Sequence, residues 1–375
     1  MPNLEEVVRA AVLEAPNTPV VIDDVDIRAP KRGEVLVRIA ACGVCHSDLS
    51  IVDGSFPAPV PVVLGHEAAG VVEAIGDDVS SVGVGDQVVL TPLPACGQCY
   101  FCTRSQPTLC SVYGASLFSN LLPDGTSPLS RRGEIVYRGL ATAAWAEKAI
   151  MPEAGVVKVD ADVPLEVACV LGCAVQTGVG AVLNTAKVEA GATVLVLGAG
   201  GIGIAVTQGA RLAAASRVIV VDPVAERREA ALTFGATDVC DPGADDPVAM
   251  AFALTNGIGV DYSFEAAGQA ALIEQGIMAT RAGGTIVCVG APPLEQGISI
   301  PMVVGFTATE KKLIGCLLGS VHAQRDIPRL LALWKAGRLD LEGMITQRLP
   351  LDQTEQALES MRNREGIRTV LTVHA

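Results

Sequence analysis

Residues 193–203 read TVLVLGAGGIG, an apolar run of strand character that stops at a glycine turn and passes into the helix-like IAVTQGARLAAA. The glycines at Gly198, Gly200 and Gly203 have G-x-G-x-x-G spacing, with Gly201 and Ile202 between the last two. Alone such spacing is common, but between a strand and a helix it has a definite use. Glycine permits a tight turn and close approach of a pyrophosphate to the main chain, and the helix N-terminus offers free N–H groups. Asp222 closes the next apolar run, RVIVVD, 19 residues past Gly203. A carboxylate there accepts hydrogen bonds from the adenosine ribose and repels a 2′-phosphate, which predicts NAD rather than NADP. Arg227, five residues farther on, is a candidate to lie over that ribose. The runs RVIVVD, VDYSFEAAG and GTIVCVG alternate with helix-like AERREAALTFGA and ALIEQGIMATRA. That alternation predicts an α/β fold with a doubly wound parallel sheet.

The N-terminal half has another texture. EVLVRIAACGV, VVLGHEAAGVVEAIG and GDQVVL are short β-like runs punctuated by Gly and Pro. From Pro94 to Arg138 periodicity is lost and Cys, Pro, Ser and Gly accumulate, predicting a long loop held by a staple. After Ser320 the chain reads as helix (DIPRLLALWKAG), loop, helix (QTEQALESMRNRE) and closing strand RTVLTV. At 375 residues there is chain enough for two domains. A net charge of −14 leaves no basic face for a phosphate backbone, so nucleic acid is excluded as a partner. Residues 167–186 and 190–210 each run without a charge for roughly the length of a membrane span. Their Gly, Thr, Gln and Asn, and the missing aromatic belts, predict buried core and no membrane partner. The opening MPNLEEVVRA lacks a secretory pattern, which predicts a cytoplasmic protein. Eleven cysteines in that setting argue for metal or thiol chemistry rather than disulfides.

Cys96, Cys99, Cys102 and Cys110 form C-x2-C-x2-C-x7-C inside the long loop. Short C-x-x-C steps let thiolates fold around one tetrahedral zinc, and four of them close its shell, so this site reads as structural. An iron–sulfur cluster also takes four cysteines and is the competing reading. A second set is dispersed: Cys45, His46, Ser47 and Asp48, then His66 and Glu67, then Cys173. Two thiolates and an imidazole would make the open shell of a catalytic zinc. Spacing alone does not choose it, because Cys42 and Cys45 also make a C-G-V-C redox pair and Cys169 competes with Cys173.

The combination of GHEAAGVVEAIG, the four-cysteine lobe, GAGGIG and the order of these groups resembles the zinc-dependent medium-chain alcohol dehydrogenases over essentially the whole chain. The resemblance implies a GroES-like β-rich catalytic domain at 1–176 with the zinc lobe at 94–112, a Rossmann domain at 177–318, and a return to the catalytic domain at 319–375. It implies two Zn2+ per subunit, the catalytic one on Cys45, His66 and Cys173. Ser47 would hydrogen-bond the substrate oxygen and open a proton relay, Asp48 would orient His66, and Glu67 would sit behind the zinc. His46 and Arg368 would meet the cofactor pyrophosphate, and Thr177 would pack near the nicotinamide. Cys42, Cys169, Cys240, Cys288 and Cys316 then become small core residues.

The implied function is interconversion of a small-molecule alcohol and an aldehyde or ketone by hydride transfer to NAD. Two alternatives stand beside it. In one, suggested by the likeness of LPACGQC and LGCAVQTG to actinobacterial relatives, NAD is tightly held and recycled by an external electron acceptor. In the other, the chain is a non-catalytic redox sensor. Departures from the family pattern bear on substrate and relay. The position of the usual relay histidine is Ser50, a cleft aromatic is replaced by Pro92, and the F-x-E-Y run appears as WAEK. The short IVDGSFPAP argues against the glutathione-dependent formaldehyde branch, and Ile51, Leu93, Leu117 and Val304 are candidate cleft residues. SIPMVVGF followed by KKLIGCLLG resembles the segment through which family dimers pair sheets edge to edge, implying a homodimer.

Overall fold

Glu6–Leu13 is exposed at its start and buried throughout Ala10–Leu13, while in Val21–Ile27 the side chains of Val25 and Ile27 are buried and Asp24 is exposed. In the computed structural model, which describes residues 6–300 and 303–374, these strands close into a small barrel with Leu129–Arg131, Glu134–Arg138 and Val62–Val63. A second sheet runs Val156–Lys158, Gln87–Leu90, Glu67–Ile75, Glu34–Gly43, Arg368–Thr372, Ile345–Pro350, and Lys148–Pro152 also pairs with Glu34–Gly43. The closing strand lies antiparallel to Glu34–Gly43 with Val370 opposite Gly43, so the two ends of the chain share one sheet. Trp145, Ile39, Leu64 and Ile150 lie in the buried core of this unit. Its residues are Met1–Cys173, His322–Trp334 and Leu341–Ala375.

The other unit, Ala174–Val321 with Lys335–Asp340, holds six parallel strands. Their order across the sheet is Asp238–Cys240, Arg217–Val221, Thr193–Leu197, Val260–Glu265, Thr280–Cys288, Lys312–Gly315. This is the expected doubly wound α/β arrangement. The strand order reverses between Thr193–Leu197 and Val260–Glu265, the point where open sheets of this kind leave a ligand crevice at the carboxyl ends. Thr193–Leu197 and Arg217–Val221 are buried on both faces, which is why they read as unbroken apolar runs.

Several expectations need correction. The stretch 94–138 is not a structureless loop: it holds single turns at Cys102–Arg104 and Pro107–Leu109, the helix Gly114–Ser119, and the hairpin Leu129–Arg131 with Glu134–Arg138. These elements are too short and polar to register a period. Between the two C-terminal helices, Ala323–Lys335 and Thr354–Arg362, the segment read as loop contains the strand Ile345–Pro350. It is polar and ends in proline, but parallel pairing with Arg368–Thr372 secures it. Cys42, Cys169 and Cys240 are buried as core residues, whereas Cys288 and Cys316 are only half-buried, and Val304 is exposed. The charge-free runs are interior: Val167, Leu171, Val175, Val182, Val194 and Val206 are buried. Among the described residues no single helix is long and apolar enough to cross a membrane. Pro301 and Met302, in the segment likened to a dimer contact, lie outside the described residues.

Candidate active site

Cys45 leaves the end of Glu34–Gly43 and caps the helix His46–Val52 in an extended conformation. Its N–H donates to Asp48 Oδ2 at 3.1 Å, closing a reciprocal cap that fixes both residues. Asp48 Oδ1 accepts the Gly65 N–H at 3.0 Å and stands 3.1 Å from His66 Nδ1. Gly65 has φ +85°, and a Cβ there would lie 2.3 Å from Trp145 Cδ1, so only glycine turns the chain into His66 at this point. A Cβ on Gly172 would meet Leu90 O at 2.8 Å and Glu67 Cα at 3.2 Å. That bare backbone lets the turn Cys169–Gly172 seat Cys173 against the start of Glu67–Ile75. The ligand atoms of Cys45, His66 and Cys173 all lie within 4.8 Å of one another, and all three residues are buried. Cys42 and Cys169 stay outside the group, and both are buried free thiols.

A hydrogen bond from Cys173 holds the Cys45 thiol well below its ordinary value, with His66 adding to the effect against the cost of burial. Cys173 correspondingly keeps its proton. Burial disfavours a charged His66, but Asp48 and Cys45 outweigh it and raise the ring. A divalent cation held by these three groups would displace whatever protons they carry.

Glu67 is fully buried, and Arg368 Nη1 lies 3.5 Å from its Oε2 while donating to Val44 O at 2.6 Å. Arg368 therefore sits with Glu67 beside the Cys45 group, and its Nε is buried without a hydrogen-bond partner. A Cβ on Gly43 would lie 2.0 Å from Glu67 Oε2, so this carboxylate needs glycine opposite it. Ser47 is half-buried with Oγ 3.8 Å from Cys45 Sγ, and His46 is exposed at the head of the same helix. Sequence reasoning did not single out Gly65 and Gly172. Gly65 was legible as the residue before the His66–Glu67 pair; Gly172 had no signal beyond its place before Cys173.

The lobe cysteines also converge. Cys96 Sγ is 4.0 Å from Cys102 Sγ, and Cys99 Sγ is 3.9 Å from Cys110 Sγ. A tetrahedron with Zn–S bonds of about 2.3 Å has edges of about 3.8 Å, so one zinc ion fits the four sulfurs. A cluster would interpose several atoms and spread the sulfurs beyond the 4.8 Å limit within which all four lie. The main-chain N–H groups of Cys102 and Ser111 bring Cys99 down to about 5, while burial pushes Cys102 up to about 12.

In the parallel-sheet unit, Gly198 has φ +101°, and a Cβ on Gly203 would lie 1.8 Å from Gly198 O. The turn and the helix Gly201–Leu212 therefore pack closely at Gly198 and Gly203, and with Gly200 and Gly201 free of side chains the main chain of Gly198–Gly203, Ile202 included, forms a backbone cradle. Asp222 is buried; its Oδ2 accepts the Ala199 N–H at 2.7 Å and its Oδ1 the Val224 N–H at 2.9 Å, which aims the carboxylate at the turn. The Arg227 guanidinium lies about one contact distance from Gly200, 4.0 Å from where a Cβ would stand. Thr177 is buried with its Oγ1 lacking a hydrogen-bond partner. A dinucleotide fits this cradle.

Residues 31–161 match the family described as Alcohol dehydrogenase GroES-like domain, and residues 201–336 match Zinc-binding dehydrogenase. The chain is 38% identical over 366 residues to an S-(hydroxymethyl)glutathione dehydrogenase of Haemophilus influenzae, covering 97% of this chain and 96% of that protein. An alcohol dehydrogenase zinc-binding domain protein from Burkholderia ambifaria superposes with TM-score 0.94 at 36% identity, over 99% of this chain and 100% of that one. The benzyl alcohol dehydrogenase of Acinetobacter calcoaceticus gives TM-score 0.93 at 32% identity, over 98% and 100%.

Proposed function

The chain belongs to the zinc-dependent medium-chain alcohol dehydrogenase family, and on that premise we propose how its own residues divide the work. It is an NAD-dependent oxidoreductase that interconverts alcohols and aldehydes. Neither the sensor reading nor the reading with trapped NAD draws support from its relatives. Cys45, His66 and Cys173 would hold the catalytic zinc, and Cys96, Cys99, Cys102 and Cys110 the structural one. When bound, zinc supplies a Lewis acid for the substrate oxygen and NAD supplies the hydride acceptor. The observation that carries this reading is the contrast between the two clusters: four cysteines close a shell, three buried ligands leave a position open.

The remaining steps fall to side chains. Asp48 holds His66 at Nδ1, which would leave Nε2 as the ring atom to take the metal. Two thiolates balance a divalent charge, and Glu67 with Arg368 forms a self-neutralising pair beside them, so the buried site carries little net field. Ser47 holds the substrate hydroxyl and accepts its proton. Ser50, one turn along the same helix, offers no base near neutrality, so the proton leaves toward solvent past the exposed His46. On the cofactor side, Asp222 and Arg227 take the adenosine ribose and the Gly198–Gly203 turn takes the pyrophosphate.

We also propose that small apolar primary alcohols are preferred to S-(hydroxymethyl)glutathione. The segment following His46–Val52 presents Phe56, whose ring pairs with Phe118 at 6.2 Å, and its one charge, Asp53, is tied to Arg362 at 2.9 Å. A glutathione adduct brings two carboxylates that this segment has no cation to receive. NADH absorbance with zinc-loaded protein, NAD, benzyl alcohol, ethanol and S-(hydroxymethyl)glutathione tests both points. Silence across the panel overturns the enzyme reading, and preference for the glutathione adduct overturns the substrate reading.

A symmetric homodimer is proposed from the exposed edge strand Lys312–Gly315 and the neighbouring Val303 and Val304, which are 66% and 77% exposed. An unpaired edge of this kind is covered by a second copy. Light scattering would report the dimer or a monomer. Eleven free cysteines suit a reducing cytoplasm, the compartment proposed here.

A further inference from the structure

Glu265 is the last residue of Val260–Glu265 and is fully buried. Its Oε1 accepts three consecutive main-chain N–H groups, from Ala267 at 2.8 Å, Gly268 at 2.6 Å and Gln269 at 3.2 Å. Its own carbonyl accepts two more, from Val289 and Gly290, each at 2.9 Å. One residue thereby organises the loops that leave the carboxyl ends of Val260–Glu265 and Thr280–Cys288. Those loops are keyed to the glycine turn. A Cβ on Gly198 would stand 2.9 Å from the Cβ of Ala267, and one on Gly268 would stand 2.9 Å from Ala291 O. A Cβ on Gly290 would lie 2.3 Å from Gly268 N and 2.6 Å from Glu265 Oε2. The Ala266 N–H donates to Leu197 O at 2.9 Å, immediately before Gly198. Among the described residues Glu265 Oε2 makes no close hydrogen bond, although the Gly290 N–H lies near enough to favour the charged carboxylate.

A buried carboxyl whose second oxygen lacks a close donor among the described residues is a costly way to stabilise a fold. Burial accordingly raises the group above the ordinary carboxylate value, even against the N–H donors. What the carboxyl supplies is shape at the point of strand-order reversal, where a dinucleotide lies in sheets of this class. We propose that Glu265 is a positioning residue for NAD. By gathering the N–H groups of 267–269 it holds Ala267 as the rear wall of the Gly198 turn and locks the 289–291 loop beside it. This rests on the reading of the chain as an NAD enzyme. Glu265 reaches no reacting atom, so its loss acts on cofactor binding and leaves the chemical step alone.

The test is Glu265→Gln in the zinc-loaded enzyme. Glutamine keeps the size but must turn an NH2 either toward three N–H donors or into the position of Oε2. Fluorescence titration should show the NADH dissociation constant raised about tenfold or more, while kcat at saturating NAD stays within about threefold of wild type. Gly268→Ala displaces the same loop with the carboxyl intact, and should weaken NADH in the same way. Independently of either variant, hydrogen exchange at 266–270 and 289–291 of the wild type should slow when NADH is added. A lowered melting temperature with unchanged NADH affinity would make Glu265 merely structural and overturn the inference, as would exchange indifferent to NADH. Failure of the wild type to bind NADH would instead overturn the underlying reading.

Discussion

Asp48 Oδ1 stands 3.1 Å from His66 Nδ1, and the same carboxylate receives the N–H groups of Gly65 and Cys45. One side chain therefore orients the imidazole and ties together the two segments that carry Cys45 and His66. With a metal on Nε2, Nδ1 would keep its hydrogen for Asp48.

Asp48→Asn should break that arrangement, because an amide cannot accept from all three donors at once. Zinc affinity at the Cys45 site is expected to fall by about 10- to 100-fold, with the lobe zinc retained. Chelator competition monitored by elemental analysis measures both. Equal zinc retention by variant and wild type would show that Asp48 does not orient His66 for a metal.

In the lobe, removal of one sulfur should release one ion outright. Cys99→Ser deletes the thiol brought down to about 5 by its N–H donors, which favour it as a thiolate. Zinc content should drop from two ions per chain to one, and cleavage by a protease should concentrate within residues 94–112. If full zinc content persists, the four sulfurs do not share an ion.

The two cysteine groups differed in how much of them was legible. The lobe was legible because its four ligands sit within one short segment, where spacing is itself geometry. Cys45, His66 and Cys173 are joined only by packing: the Asp48 cap, the glycine turn at Gly65 and the bare backbone at Gly172 bring them together. No local pattern reports such contacts, so the residues offered that set only as one candidate and the family likeness chose it over Cys42 and Cys169. The parallel sheet was readable for the opposite reason, since strands buried on both faces must be apolar throughout. The hairpin 129–138 escaped because its two strands are only three and five residues long and the pair Arg131–Arg132 interrupts any apolar period. Arg368 was expected against the cofactor from its motif; its ion pair with Glu67 required coordinates.

Asp222 offers a test of cofactor choice. Its carboxylate is held by Ala199 and Val224 N–H groups beside the glycine turn. Asp222→Gly removes acceptors for the ribose hydroxyls and the repulsion of a 2′-phosphate together. Losing hydrogen bonds to a charged group costs about 1.5–3 kcal/mol, so kcat/KM for NAD should fall by about 10- to 100-fold. The value for NADP should rise. Steady-state kinetics with both cofactors decides it, and an unchanged ratio would remove Asp222 from the recognition of the ribose.

Asp261 predicts a pH dependence of stability in the same unit. Its Oδ2 accepts the Thr193 N–H at 2.7 Å and its Oδ1 accepts Arg281 Nε at 2.6 Å, so it joins the starts of the two strands that end at the glycine turn and at Glu265. Burial by itself would raise this carboxyl, but the Thr193 N–H and the Arg281 guanidinium outweigh it and hold the group below its ordinary 3.8. A carboxyl lowered by folding stabilises the native state when ionised. That contribution is present in full above the unfolded value and is lost as pH falls through the lower folded one. Asp261→Asn should therefore lower the urea midpoint of unfolding at pH 7, and the gap from wild type should shrink on titration toward about pH 3. Because Arg281 is partly exposed, added salt should narrow the pH 7 gap without closing it, the Thr193 bonds being shielded. A gap that stays constant across the titration would mean that the carboxylate charge contributes nothing, and that the latch between the strands is held by Thr193 alone.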